Sequence, residues 1–186
     1  MVKKLEIDIK VNNFVIETFV DAYPCIKFYT VRWDDAALSE TDKFFQRFLE
    51  TASLQNYRED FDEIIALIKI MGEQEGAAER FFRFEDAAQA LPPKSMVYVR
   101  QLLISDGQNT LRLYCTRLQN NIVVLFNGGI KSSQKVSDSL DLTMKFREAQ
   151  YFAKKIDKAI QEKDVLVDKQ KGLLFAPNPS NEMLIY

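Results

Sequence analysis

The 186-residue chain contains no histidine. Its absence removes the side chain that ordinarily exchanges protons near neutral pH, and leaves acid–base chemistry to Asp, Glu, Lys, Tyr or Cys. Cysteine is nearly as scarce: there are two, Cys25 and Cys115, with no C-x-x-C pair. Two such thiols do not make a disulfide framework, and a zinc site would need carboxylates to complete its shell. No stretch approaches the ~18 uncharged apolar residues of a membrane span. The start, MVKKLEIDIKV, carries a lysine pair, but Glu6, Asp8 and Lys10 interrupt any apolar region. The sequence therefore predicts no secretion signal and a cytoplasmic location. Phosphate-cradling loops, the dinucleotide fingerprint and the serine-hydrolase elbow are also missing, so neither cofactor nor metal is expected.

An apolar fraction of 47% and a charged fraction of 28% are ordinary for a folded domain. The net charge of −2 argues against a polyanion partner until its distribution is read. Residues 1–93 carry 11 basic and 18 acidic side chains, a net of −7, whereas residues 94–158 carry 11 and 5, a net of +6. The middle block can attract an anion if its charges share a face. If they do not, the asymmetry is ordinary variation along solvated surfaces.

Periodicity predicts an α+β domain. Leu5 to Val11 alternates as a half-buried strand does, Asn12-Asn13 can turn, and FVIETFV (14–20) can return as a hairpin partner. IKFYTVRW (26–33) reads as another strand. Ser39 before Glu40, Asp42 and the set Phe44, Phe45, Phe48, Leu49 marks a capped helix over 40–53. A second helix is expected from near Asp60, with Gly72 and Gly76 weakening its end. FFRFEDAAQALPPK places Phe81, Phe82 and Phe84 in the core and stops at Pro92-Pro93. MVYVRQLLI (96–104), LRLYCTRL (111–118) and IVVLF (122–126) follow as an antiparallel meander. A helix over 137–163 comes next, capped by Ser137 and buried through Leu140, Met144, Tyr151, Phe152, Ile156 and Ile160. The tail, with GLLF and MLIY, reads equally as a docked strand or a loose end.

Function is most legible after the third meander strand. Asn127-Gly128-Gly129 ends it, and Lys131-Ser132-Ser133-Gln134-Lys135 follows without an acid. Just before a helix N-terminus, two ammonium groups, hydroxyls and backbone amides can meet a phosphate. Alternation puts Leu111, Leu113 and Cys115 on one strand face, and Arg112, Tyr114 and Thr116 on the other, outward one. The antiparallel return brings Lys131 toward Arg112. The plainer alternative is a tight glycine turn beside an ordinary exposed sheet face.

The run LRLYCTRLQNNIVVLFNGGIKSSQKVSDSLDL resembles the C-terminal half of the HigB-like branch of the RelE/ParE toxin superfamily. The match rests on Arg112 in its strand, the apolar strand ending in glycines, and the lysine-bearing loop from Lys131 to Lys135. The resemblance spans roughly 26–160. It implies a RelE-like fold: an N-terminal helical pair on a twisted antiparallel sheet, with a C-terminal helix. An extra N-terminal β-hairpin (1–25) and a C-terminal tail (164–186) flank the RelE-like domain (26–163). It further implies the toxin of a toxin–antitoxin system, a metal-independent endoribonuclease cutting messenger RNA on the ribosome and silenced by a cognate antitoxin. In that chemistry the RNA 2′-hydroxyl attacks its neighbouring phosphate while positioned cations stabilise the charge that develops. Arg112 and Lys131 take the phosphate role and Tyr114 stacking or proton transfer. Lys135, Ser133 and Arg117 contact RNA. The chain departs from the pattern in lacking a histidine and in having Ser132 where a second cation is common. The alternative is a non-catalytic relative that binds a protein partner, an antitoxin or a topoisomerase-type target.

Overall fold

The computed structural model describes residues 13–20, 22–49, 54–94, 97–99, 102–104, 110–131, 140–178 and 183–186. Their strands are β1 (Phe14–Val20), β2 (Lys27–Trp33), β3 (Arg83–Glu85), β4 (Ala88–Leu91), β5 (Val97–Val99), β6 (Leu102–Ile104), β7 (Leu111–Gln119), β8 (Ile122–Ile130), β9 (Leu166–Asp168), β10 (Leu173–Phe175) and β11 (Met183–Ile185). The helices are α1 (Glu40–Leu49), α2 (Leu54–Ile70) and α3 (Leu140–Glu162).

Seven strands form one mostly antiparallel sheet in the order β11-β1-β2-β8-β7-β4-β3. The exception is the central β2–β8 pair, which is parallel over Lys27–Thr30 and Ile122–Leu125. The architecture is mixed α+β, as the periodicity predicts, with this parallel join as a correction. Pairing of β2 with β8 stops at Thr30 and Leu125, although β2 continues to Trp33 and β8 to Ile130. The two strands part, and the chain leaves β2 toward α1 on one face and β8 toward α3 on the other.

Side-chain alternation divides the core between these faces. On the first, α1 and α2 place Phe44, Phe48, Phe61 and Ile64 against Phe28, Leu113, Val123 and Leu125. On the second, α3 places Phe152, Ala149 and Ile156 against Phe14, Tyr29, Val124 and Phe126. Each fully buried Phe, Leu or Ile contributes about 1.5–3 kcal/mol through the water it sheds.

The predicted start of α1 holds. The backbone N–H of Asp42 donates to Ser39 Oγ at 3.1 Å, and that hydroxyl donates back to Asp42 Oδ2 at 2.6 Å. The second helix begins at Leu54, earlier than expected, and ends in a wide turn over Met71–Glu75. Gly76 then leaves with φ 67°, a conformation that favours glycine.

Several expectations change. Residues 96–104 do not supply one meander strand: β5 and β6 pair with each other in a separate two-stranded sheet. The meander is instead β4, β7 and β8. Phe84 lies 59% exposed on edge strand β3, and Met144 is 41% exposed on α3. The first strand of the expected hairpin, 5–11, lies outside the described residues, as does the Ser137 cap. The described part of that hairpin, β1, pairs with β2 and β11. The tail docks: β9 and β10 form a hairpin, and β11 closes the sheet edge beside β1.

Candidate functional site

Strand β7 carries the central candidates. Its inward positions Leu111, Leu113 and Cys115 face α1 and α2. Burial pushes the Cys115 thiol well up, so it offers no thiolate. Arg112 and Tyr114 share the opposite face, as predicted. That face is not outward: Arg112 is 4% and Tyr114 1% exposed, and α3 lies over Tyr114. The Phe146 ring meets the Tyr114 ring edge-on at 5.9 Å between centroids.

The sheet brings a second arginine into the same row. Arg83 on β3 lies opposite Ala90 on β4, and Ala90 lies opposite Tyr114 on β7. Residues paired across strands project to one side, so Arg83 reaches over a methyl group toward the phenol. One step along, Glu85 lies opposite Ala88. Arg83 Nε stands 3.0 Å from Glu85 Oε1. Arg112 Nη1 donates to its neighbour's carbonyl, Leu111 O, at 2.6 Å. From α3, Gln150 closes the end of the row. Its Oε1 accepts from Ala88 N at 2.9 Å, and its Nε2 donates to the Glu85 carbonyl.

The electrostatics follow from burial and proximity. Desolvation, helped by the like charge of Arg83, lowers the Arg112 guanidinium to about 10, with Glu85, Tyr114 and Asp60 opposing the shift. Arg83 is lowered by burial and held up by Glu85. Burial drives the Tyr114 phenol upward, so it stays protonated at neutral pH. Its hydroxyl is buried without a hydrogen-bond partner among the described residues.

The other predicted residues divide. Lys131 follows the last residue of β8. Its backbone N–H donates to Thr110 O at 2.8 Å, which brings it beside the start of β7, and its side chain is half-buried. Asp60 Oδ2 secures that approach by accepting from Thr110 N at 2.7 Å and Oγ1 at 2.5 Å. Arg117 does not join the group. Odd-numbered β7 positions face α1 and α2, and its Nε donates to the Ala77 carbonyl in that core. Ser133 and Lys135 lie outside the described residues.

The Asn127-Gly128-Gly129 stop is a structural joint. Asn127 donates to buried Glu40 Oε2 at 2.7 Å, while its Oδ1 accepts from Arg47 Nη2 at 3.1 Å and Gly128 N at 2.8 Å. Arg47 Nη1 also donates to Gly128 O at 3.1 Å. A Cβ on Gly128 would lie 1.8 Å from Arg112 O, so the two strands approach too closely there for any side chain. The ladder register shifts between Leu113 and Cys115, which makes room for this joint.

Arg83 and Glu85 escape the sequence reading because FFRFE is dominated by its phenylalanines. The available signal is the short RFE–DA–AQAL hairpin, whose alternation aligns charged residues with alanines. A cleft of about 660 Å³ lies elsewhere, between the C-terminal half of α3 and β11, floored by Ala159, Ala176, Leu184 and Ile185. Lys155 Nζ donates across it to Tyr186 O at 2.6 Å. Three strands separate β11, and this cleft with it, from β7. Among the described residues no three His, Cys, Asp or Glu side chains gather as metal ligands, and no helix is long and apolar enough to cross a membrane. Compared with known proteins, the chain matches no family model, no curated protein and no solved structure.

Proposed function

We propose that the chain is a diverged RelE/ParE-superfamily protein, with its RelE-like domain over 26–163. It acts in the cytoplasm by gripping a protein partner, an antitoxin or a topoisomerase-type target, rather than by cutting RNA. The fold assignment is supported by the helical pair α1 and α2 ahead of the β7–β8 hairpin and by α3 after it, elements the resemblance implies. The observation that carries the non-cleaving reading is the burial of Arg112 and Tyr114. In-line attack on a phosphodiester requires these groups within hydrogen-bonding reach of a polymer strand. A strand of RNA cannot enter a row roofed by Phe146 and Gln150.

A second reading keeps the metal-independent endoribonuclease. It is favoured by Lys131, whose backbone is tied beside the first residues of β7 and whose ammonium is not fully buried. Inducing the chain in bacteria while mapping messenger-RNA ends separates the two. Growth arrest without new ends, unchanged in Lys131→Ala, is the expected result. New ends that disappear in Lys131→Ala and in Arg112→Ala would establish cleavage instead. A small antitoxin-like protein that co-purifies with the chain and relieves the arrest would identify the partner class.

A further inference from the structure

We propose that the cleft between the C-terminal half of α3 and β11 binds a short free peptide, its carboxylate held by Lys155 and its ammonium by Glu162 and Asp164. The site lies three strands away from Arg112 and does not rest on the RelE-like reading. Its volume of about 660 Å³ falls within the roughly 300–1,000 Å³ of small-molecule sites. The floor is apolar: Ala159, Ala176 and Ile185 are buried, and Leu184 is half-buried beside them. The charged side chains of the walls are ordered by sign. Lys155 and Lys158 come first along α3, Glu162 ends the helix, and Asp164 follows just past it. A ligand that satisfies both ends therefore carries both signs, with an uncharged middle over the floor.

Length decides which bipolar ligand fits. Lys155 and Glu162 stand two helical turns apart, roughly 10 Å along the axis. A free amino acid holds its two charges only ~2.5 Å apart. An extended chain advances about 3.3–3.6 Å per residue, so a peptide of about three residues spans the two walls. The Lys155 end is closed, because Nζ donates across the cleft to Tyr186 O at 2.6 Å. That contact uses one of the three ammonium hydrogens and leaves two for a carboxylate. It also blocks a chain from running on, which selects a terminus over an internal residue. Between the ends, Lys158 and Glu162 pair at 3.6 Å with side chains 63% and 54% exposed. So exposed a pair contributes little, and Glu162 can turn to an ammonium at small cost.

The test titrates trialanine into the full chain at constant ionic strength, with binding read by calorimetry. The expected result is saturable binding that free alanine does not give. Amidating the peptide's carboxylate, or acetylating its amine, should each weaken it tenfold or more, the loss of a charge-assisted contact. Lys155→Gln should weaken unblocked trialanine by a similar factor, and Glu162→Gln with Asp164→Asn roughly tenfold. Arg58→Ala, on α2 across the sheet, should leave it unchanged. Absence of saturable binding overturns the proposal. So does equal binding of the doubly blocked peptide, or binding that the Lys155 and Glu162/Asp164 variants leave intact. Equal affinity for a six-residue peptide of alanine and serine would overturn the restriction in length.

Discussion

On one face of β7, Leu111, Leu113 and Cys115 are buried among the phenylalanines of α1 and α2. On the other, Arg112 and Tyr114 are buried nearly as completely, but beside Arg83 and Glu85. Burial alone therefore does not separate core from site. What separates them is whether the buried groups satisfy each other. Apolar side chains are satisfied by contact, and the polar joint at Asn127 is satisfied by pairing with Glu40, Arg47 and Gly128. In the Arg83–Tyr114 row the two guanidiniums oppose one another while Glu85 faces both, and the Tyr114 hydroxyl lacks a hydrogen-bond partner among the described residues.

The contrast breaks most readily on the helical side. Phe48 is fully buried and touches the rings of Phe44, Tyr57 and Phe61. Phe48→Ala should cost about 3–5 kcal/mol in urea denaturation, through lost transfer energy and the cavity left behind. A loss below ~1.5 kcal/mol would mean that this face is loosely packed. Asn127→Ala comes next, at about 2–3 kcal/mol, because it strips a donor from buried Glu40 and an acceptor from Arg47. Substituting both Glu40 and Asn127 should cost less than the sum of the single losses, since the second change then removes a group already orphaned.

The two hydroxyls under α3 give a finer comparison. Tyr29 Oη accepts from the backbone N–H of Leu174 at 2.9 Å, so Tyr29→Phe should cost about 1–2 kcal/mol. Tyr114→Phe should be neutral or stabilising by up to ~1 kcal/mol, since it removes a hydroxyl that lacks a partner among the described residues. If both substitutions destabilise alike, Tyr114 is an ordinary bonded core residue.

How far the sequence reaches can be judged from particular residues. Ser39 and Asp42 announce the start of α1 because capping is local chemistry. The β7–β8 hairpin is legible because a short turn fixes its register. The face that Arg112 occupies is likewise fixed by alternation. What covers that face is not, because α3 follows only after β8 and its docking side depends on the strand order. The parallel β2–β8 join escapes for the same reason: it pairs residues nearly a hundred positions apart. Arg117 reads as a basic site residue, yet its partner is the distant Ala77 carbonyl. Phe84 reads as core, yet it lies exposed on β3, whose place at the sheet edge is set by the strand order rather than by local pattern.

The smallest effect lies where β2 and β8 part. There Glu40 from the α1 side and Glu148 from α3 come close enough to sense each other's charge. The Glu148 carboxyl is raised above its ordinary value, first by burial and then by Glu40, with Lys145 and Lys43 opposing. The folded state therefore holds this proton to higher pH than the unfolded chain does. Stability from this group is present in full below the ordinary carboxyl range and is lost as pH rises through the raised value. Glu148→Gln should flatten that part of the stability–pH curve. Near pH 7 it should change stability by under about 1 kcal/mol, because Glu148 also gives up Lys145, whose Nζ stands 3.4 Å away. In a Glu40→Gln background the slope that Glu148→Gln removes should be smaller but still present, because burial remains. If Glu40→Gln leaves that slope unchanged, the two faces do not communicate through the parting strands.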